Sequence, residues 1–162
     1  MTVLSAGTIK LELGEKGLIK PFMPEKIRIP FKGSSTLSYG LSEAGYDIRL
    51  SETDESSSQI IMQGQMKLLV SPEWLSIPND MIGIVHDKST LARMGIAVQN
   101  TVLEPGWRGF ITLEASYHGD DKFFICYPGM PIAQIIFHRL DKPTIAYEGK
   151  YQDQENFPVE AR

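Results

Sequence analysis

Residue types that suit nucleotide chemistry are concentrated in one segment, His86 to Gly119. A cation and two hydroxyls, Lys88, Ser89 and Thr90, stand just before a predicted strand, and such groups suit a phosphate chain. A carboxylate, Glu114, follows in a second predicted strand among apolar neighbours, where it suits proton transfer. Together these residues indicate an enzyme that acts on a nucleotide.

Glu114 is the candidate proton carrier. Side chains alternate along a strand, so Thr112, Glu114 and Ser116 are predicted to share one face, while the opposite apolar face packs on the core. Partial burial raises the pKa of a carboxyl group, which could then take a proton from water and return it to a leaving group. The alternatives are a structural carboxylate paired with Arg108 or Arg93, or one that faces solvent.

The run Lys88 to Arg93, KSTLAR, is the candidate phosphate site. Ser89 or Thr90 is a candidate cap for a short helix whose N–H groups point at phosphate. Lys88 and Arg93 would add charge-assisted hydrogen bonds. The alternative is an ordinary capped turn with solvated cations.

A turn and the C-terminal tail complete the candidate site. The turn runs from Glu104 to Trp107. Trp107 either stacks on a ring or fills the core, and Glu104 either binds a sugar hydroxyl or faces water. Residues 147–162 form a polar tail, which is either a frayed end or a mobile segment that closes over a ligand.

Composition limits the possible partners. The 162 residues fit one domain, 1–162, and the net charge of -4 argues against nucleic-acid binding. No apolar stretch approaches the roughly 20 residues that a membrane helix needs, and no signal peptide is evident. Cys126 is the single cysteine, which excludes an internal disulfide and a thiolate metal cage and favours the cytoplasm. The signatures of zinc deaminases and of Walker-type loops are missing.

The distribution of glycine, proline and short apolar runs predicts a mainly β fold, a sandwich or barrel behind one short helix. The helix is predicted over Leu4–Gly17 with Ser5 as its N-cap, and an extended segment follows at Leu18–Phe22. Serine-rich loops are predicted at Lys32–Ser38 and Ser51–Ser58. The predicted strands are Tyr46–Leu50, Met66–Val70, Ile82–His86, Ile96–Leu103, Phe110–Tyr117, Phe123–Cys126 and Pro131–His138.

In their order and spacing, several segments resemble those of the dCTP deaminase and dUTPase superfamily, over nearly the whole chain. They are LSAGTIKLELGEKGLIKPF, AGYDIRL (Ala44 to Leu50), KSTLARMG, LEPGWRGFITLE and GKYQDQ. Glu114 stands where dCTP deaminases have their catalytic glutamate, whereas typical dUTPases have no carboxylate there. The resemblance implies a dCTP deaminase with a distorted jelly-roll or β-barrel fold of the dUTPase-like type, assembled as a homotrimer.

The resemblance also implies roles for individual residues. Glu114 would activate a water that attacks C4 of cytosine without zinc, and Ser89 would help hold that water or a phosphate oxygen. Glu104 would accept a hydrogen bond from the deoxyribose 3′-hydroxyl. The implied phosphate ligands, across a subunit boundary, are Lys88, Thr90 and Arg93, and the residues that close over the triphosphate are Tyr147, Lys150 and Gln154. Mg²⁺ would be bound through the triphosphate rather than by protein ligands.

This chain departs from the superfamily pattern between Gly95 and Glu104. The stretch IAVQNTVL is shorter than in bacterial dCTP deaminases, and it lacks their arginine. Asn100 is a candidate reader of the base, because an amide offers a donor and an acceptor, and it could also favour uracil. Lys88 replaces the usual arginine and loses bidentate geometry.

Three functions fit these observations. The leading hypothesis is deamination of dCTP to dUTP and ammonia. The second is a dUTP pyrophosphatase, or a bifunctional enzyme that deaminates and then cleaves the triphosphate. The third is a non-catalytic trimeric module that binds nucleotides.

Overall fold

The computed structural model describes residues 2–51, 58–99 and 101–161. Strands are the main regular structure in this part of the chain, and two short α-helices interrupt them. The helices are α1 (Ala6–Ile9) and α2 (Ser89–Ala92). The strands are β1 (Thr2–Val3), β2 (Ile19–Lys20), β3 (Lys26–Pro30), β4 (Thr36–Ser42), β5 (Gly45–Arg49), β6 (Gln59–Met62), β7 (Met66–Ser76), β8 (Met81–Asp87), β9 (Ile96–Val98), β10 (Val102–Leu103), β11 (Arg108–Tyr117), β12 (Phe123–Cys126) and β13 (Pro131–Arg139).

Two sheets make up most of the fold. In the first, β10, β8, β13, β5, β4 and β3 lie side by side in that order, and β1 pairs with β13. In the second, the order is β2, β7, β11 and β9, while β12 and β6 form a separate two-stranded sheet. One cluster of buried apolar side chains includes residues from both large sheets. The predicted mainly β, jelly-roll-like fold is confirmed, and within the described residues neither large sheet closes into a barrel.

The predicted helix over residues 4–17 is shorter and less regular than expected. Helix α1 continues into a π-helical segment, Lys10–Gly14, where the Glu15 N–H bonds the Lys10 carbonyl at 2.8 Å. Ser5 occupies the N-cap position as predicted, but its side chain makes no capping hydrogen bond. The helix is therefore held by the burial of Ile9 and Leu13 more than by its cap.

Gly17, the predicted stop of the helix, ends the turn that follows the π-helical segment. Gly17 has a φ of 68°, and its N–H bonds the Gly14 carbonyl at 3.0 Å. The Leu18 N–H bonds the Leu13 carbonyl at 2.8 Å, which completes a Schellman motif. This motif reverses the chain into β2.

The strand predictions need three corrections. The predicted strand Ile96–Leu103 is two strands, because β9 pairs with β11 in the second sheet and β10 pairs with β8 in the first. Strand β4 begins inside the segment Lys32–Ser38 that was predicted as a loop, because Thr36 and the residues after it pair with β3. Strands β1, β3 and β6 were not predicted. Of the loop predicted over residues 51–58, residues 52–57 lie outside the described residues.

A bulge shapes the pairing of β7 with β11. Phe110 lies opposite Trp74 and Thr112 opposite Val70, so three residues of β7 face Ile111 alone. The middle one of the three is proline, which has no N–H for the ladder. The bulge changes the simple alternation of faces in the strand that contains Glu114.

The residues of this bulge also connect the two sheets. Glu73 is fully buried, and its carboxylate accepts hydrogen bonds from the Ser71 hydroxyl at 2.7 Å and from Arg49 Nε at 2.8 Å. Arg49 belongs to β5 of the first sheet, and Glu73 to β7 of the second. Since removing one partner would leave a buried charge unpaired, this ion pair fixes the relative position of the sheets.

None of the helices in the described residues has the length and apolarity that crossing a bilayer requires.

Candidate active site

Strand β11 holds Glu114 in a fixed backbone position. The strand is paired on both sides, with β7, where Glu114 lies opposite Leu68, and with β9. The Glu114 carbonyl also accepts a hydrogen bond from the Gln99 N–H at 2.9 Å. Leu113 and Ala115 are fully buried on the core side, as the alternation predicted. The Glu114 side chain is half-buried on the other side.

That side of β11 forms the floor of a cavity of about 340 Å³, the hairpin pocket. The predicted site residues that line it are Glu104, Trp107, Glu114, Tyr147 and Gln154. Its other described lining residues are Met66, Leu68, Thr101, Val102, Leu103, Ile111, Thr112, Tyr151, Val159 and Ala161. Ile111 and Thr112 both line it because the bulge interrupts the alternation of β11 at this point.

The hairpin pocket has two acidic side chains in an otherwise uncharged and mainly apolar lining. Glu104 and Glu114 are the only charged side chains among the lining residues that the structure describes. Arg108, a predicted alternative partner of Glu114, instead bonds Asp153 at 2.5 Å. Within the described residues, no hydrogen bond or ion pair engages the Glu114 carboxylate. The carboxylate is therefore available to a ligand in the pocket.

Trp107 has a structural role in addition to lining the pocket. Its side chain is 6% exposed and belongs to the core cluster. The indole N–H donates to the Tyr151 carbonyl at 2.8 Å, and the Tyr147 N–H donates to the Pro105 carbonyl at 2.7 Å. The turn from Glu104 to Trp107 thereby binds the tail.

The tail also adds to the start of β11. The Phe110 N–H donates to the Gln154 carbonyl at 3.0 Å, and the Asp153 N–H donates to the Arg108 carbonyl at 2.9 Å. These bonds place Gln154 beside Gly109 in a short parallel bridge. This part of the tail is thus a wall of the pocket in this structure, and its mobility stays a prediction.

Two of the pocket residues without a predicted site role bond each other. The Thr112 hydroxyl accepts a hydrogen bond from the Val159 N–H at 3.0 Å, and both residues are buried. Thr112 was predicted only to share a face with Glu114. Nothing in the local sequence around Val159 indicates this contact, which joins the end of the tail to the middle of β11.

Three further predicted residues line a second cavity of about 270 Å³, the polar pocket. They are Lys88, Ser89 and Thr90, and Asp47, Asp87 and Gln134 lie with them. A short helix follows as predicted, but Lys88 rather than Ser89 or Thr90 occupies its N-cap, and no side chain caps it. The phosphate-motif residues of one copy therefore lie in a different cavity from its Glu114.

The remaining predicted residues lie in neither pocket. Arg93 is exposed just after α2, and Lys150 lies with its Nζ 5.1 Å from the centre of the Tyr151 ring. Asn100 lies outside the described residues. Across the residues that the structure describes, no group of three or more His, Cys, Asp or Glu side chains is arranged to hold a metal ion.

Comparison with known proteins gives the family. The family described as dCTP deaminase-like matches residues 46–140. A dCTP deaminase of Acidobacterium capsulatum is 34% identical over 86% of this chain and 88% of its own length. One of Roseiflexus castenholzii is 32% identical over 95% of this chain and 96% of its own length.

Solved structures show the same fold. The 2′-deoxycytidine 5′-triphosphate deaminase of Agrobacterium tumefaciens superposes with a TM-score of 0.63 at 17% identity, covering 85% of this chain and 47% of that one. The dUTPase of EIAV superposes with a TM-score of 0.53 at 18% identity, covering 68% and 87%. At such identities the similarity of these structures shows the fold alone. The two dCTP deaminases that are 34% and 32% identical over most of this chain also show the family. This chain belongs to the dCTP deaminase-like family.

Proposed function

We propose that this protein hydrolyses dCTP to dUTP and ammonia. The observation that carries the proposal is Glu114, a half-buried carboxylate with no ion-pair partner among the described residues, in a pocket with largely apolar walls. Relatives that are 32% and 34% identical over most of the chain are named dCTP deaminase, which supports the same reaction.

Glu114 acts as general base and then as general acid in this proposal. It takes a proton from a water molecule whose oxygen attacks C4 of cytosine, giving a tetrahedral centre. Glu114 returns that proton to the exocyclic nitrogen, the C4–N bond breaks, and ammonia leaves. The C4 hydroxyl loses its remaining proton while N3 gains one, so that C4 becomes the carbonyl of uracil. Ser89 helps hold the water or a phosphate oxygen.

The sugar and phosphates are bound around this centre. Glu104 accepts a hydrogen bond from the 3′-hydroxyl, and Trp107 packs beside the nucleoside. Tyr147, Lys150 and Gln154 lie on the tail that covers the triphosphate. Mg²⁺ would be bound through the triphosphate and would neutralise part of its charge.

The phosphate ligands come from a second copy of the chain. A triphosphate is strongly anionic, yet the charged residues described in the hairpin pocket are the carboxylates Glu104 and Glu114. The segment Lys88–Arg93, with Ser89, Thr90 and Arg93, lies outside that pocket in the same copy. A homotrimer in which this segment reaches the pocket of a neighbour would complete each site, and we place this enzyme in the cytoplasm.

An apolar face supports such an assembly. Ile60 and Met62 of β6 lie opposite Ile125 and Phe123 of β12, and all four side chains are between 41% and 49% exposed. A contiguous apolar surface of this kind is typical of contacts between proteins.

A dUTP pyrophosphatase, alone or after deamination, is the second candidate. The observation that favours it is the short connection between β9, which ends at Val98, and β10, which begins at Val102, with Thr101 lining the hairpin pocket. Asn100 belongs to this connection, and its amide could read cytosine or uracil.

Product analysis separates these functions. Purified protein with Mg²⁺ is offered dCTP, dUTP and dCMP separately, and nucleotides, ammonia and pyrophosphate are measured. Deamination gives dUTP and ammonia from dCTP, whereas pyrophosphatase activity releases pyrophosphate from dUTP. Unaltered dCTP at high protein concentration would refute the deaminase, and calorimetric nucleotide binding without any product would indicate a binding module.

A further inference from the structure

Lys88 does not present a free charge in this structure. Its Nζ lies 2.6 Å from Asp47 Oδ2, and the two side chains are 10% and 3% exposed. Asp47 also accepts hydrogen bonds from Ser38 Oγ at 3.0 Å and from Gln134 Nε2 at 2.8 Å. Both carboxylate oxygens of Asp47 therefore accept hydrogen bonds, and the Lys88 ammonium is paired in an almost fully buried site.

The strand order explains why these groups meet. Asp47 lies on β5, Gln134 lies opposite it on β13, and Lys88 directly follows β8 on the far side of β13. The Lys88 side chain thus spans a strand to reach Asp47. The ion pair ties the beginning of the segment Lys88–Arg93 to the middle of the first sheet.

The other lysine of the polar pocket is also paired. Lys26 Nζ lies 2.5 Å from Glu43 Oε2. Arg93, in contrast, is exposed, and in the described part of the chain no hydrogen bond or ion pair engages its guanidinium. A planar guanidinium can bind phosphate oxygens bidentately, which an ammonium cannot.

We propose that Lys88 is a positioning residue whose charge is committed to Asp47, and that Arg93 is the cation of this segment that meets the triphosphate. This inference rests on the proposed function, because it assigns roles within its phosphate site. Substituting one member of the Lys88–Asp47 pair leaves the other as a buried charge without a counterion, which disturbs the segment Lys88–Arg93. Substituting both by neutral residues leaves no unpaired buried charge.

The test is a double-mutant cycle with Lys88→Met, Asp47→Asn and the two combined. Each single change is expected to lower the Tm and to raise KM for dCTP on the order of tenfold, with a smaller effect on kcat. The combined variant is expected to recover most of both losses. If Lys88 bound phosphate directly, Asp47→Asn would free its charge and lower KM, and the combined variant would bind dCTP as poorly as Lys88→Met.

The salt dependence of KM separates the two roles, because substituting a residue with a purely structural role does not change it. The attraction between a cation of the protein and the strongly anionic triphosphate, as the nucleotide enters the site, is screened by salt. Arg93→Gln is expected to reduce the salt dependence of KM, while the combined variant keeps that of the wild type. An equal reduction in the combined variant would overturn the proposal.

Asp80→Asn is the matched control. Asp80 is also an aspartate paired with a cation, Arg139, but the pair is about one-third exposed and borders neither pocket. The KM of the Asp80→Asn variant for dCTP is expected to match that of the wild type. If the wild-type protein binds dCTP in calorimetry but releases no ammonia, the deaminase proposal fails. The role of Lys88 is then still decided by the double-mutant cycle, with the Kd for dCTP measured in place of KM.

Discussion

Glu114 and Glu104 show how position gives two carboxylates different roles. Glu104 is exposed at the turn before β11 and suits a sugar hydroxyl, whereas Glu114 is half-buried on β11 itself. Within the proposed reaction, Glu114 is therefore the proton carrier and Glu104 a binding group.

Substituting Glu114 by glutamine is expected to lower kcat for dCTP by about 10² to 10⁴-fold, because the amide cannot accept and return the proton. The Kd for dCTP, measured by calorimetry, is expected to stay within a few-fold of the wild type. Glu104→Gln serves as the control and is expected to raise KM more than it lowers kcat. Wild-type turnover by the Glu114 variant would exclude this residue as the proton carrier.

Cys126 provides a test of burial at the residue scale. Its side chain is fully buried, and desolvation raises the pKa of the thiol to about 12. Because the thiolate is the reactive form, alkylation by iodoacetamide at pH 8 is expected to be slow in the native protein and fast in urea.

The folded state holds the proton of the Cys126 thiol more tightly than the unfolded chain does. The contribution of this thiol to the free energy of unfolding is therefore lost as the pH rises above about 9. Rapid alkylation of the native protein would contradict the packing around β12.

At the scale of elements, the tail can pack against the start of β11 only because residue 109 is a glycine. This glycine has a φ of 144°, and a Cβ built on it would lie 2.7 Å from the Gln154 nitrogen. Gly106 is similarly close to the tail, since its Cβ would lie 2.5 Å from that of Ala146. The turn and the start of β11 thus leave room for residues 146–154 to pack closely, which places Tyr147 and Gln154 at the pocket.

Gly109→Ala is expected to displace this part of the tail and to lower kcat/KM for dCTP by on the order of tenfold, since a small misplacement of binding groups is costly. Protection of the Phe110 amide from hydrogen exchange should be lost as well. Gly64→Ala is the matched control, because Gly64 has a φ of 74° but a Cβ there would meet nothing within 4 Å. If both variants behave alike, backbone strain rather than tail contact explains the effect.

At the scale of the whole molecule, one copy divides the predicted site between two cavities. Glu114 lines the hairpin pocket, while Ser89 and Thr90 line the polar pocket. A site that needs both sets must combine different copies, and a closed rotational assembly supplies the same combination at each interface. This arrangement follows from the proposed homotrimer.

Mixing two variants that each lack one part of the site tests the shared site, at a dCTP concentration well below the KM of Arg93→Gln. Glu114→Gln supplies an intact phosphate segment, and Arg93→Gln supplies an intact proton carrier. If subunits assort at random, roughly a quarter of the sites in co-expressed mixtures are expected to be intact, with activity recovered in proportion. Mixtures of separately purified, non-exchanging oligomers are the control. No recovery in verified mixed oligomers would mean that each site lies within one copy.

The sequence determined the features that depend on neighbouring residues. Alternation placed Glu114 on a half-buried strand face, and Gly17 predicted the end of the helical segment. The turn from Glu104 to Trp107 lies between β10 and β11 as predicted. These predictions succeed because side-chain period and backbone freedom act over a few residues.

The tertiary structure alone decided the contacts between distant segments. Lys88 meets Asp47 only because β8, β13 and β5 lie side by side, and Val159 meets Thr112 only because the tail returns to β11. The division of Ile96–Leu103 between two sheets likewise depends on which strands compete for its backbone groups. Strand order is set by packing of the whole core, so local pattern cannot reveal it.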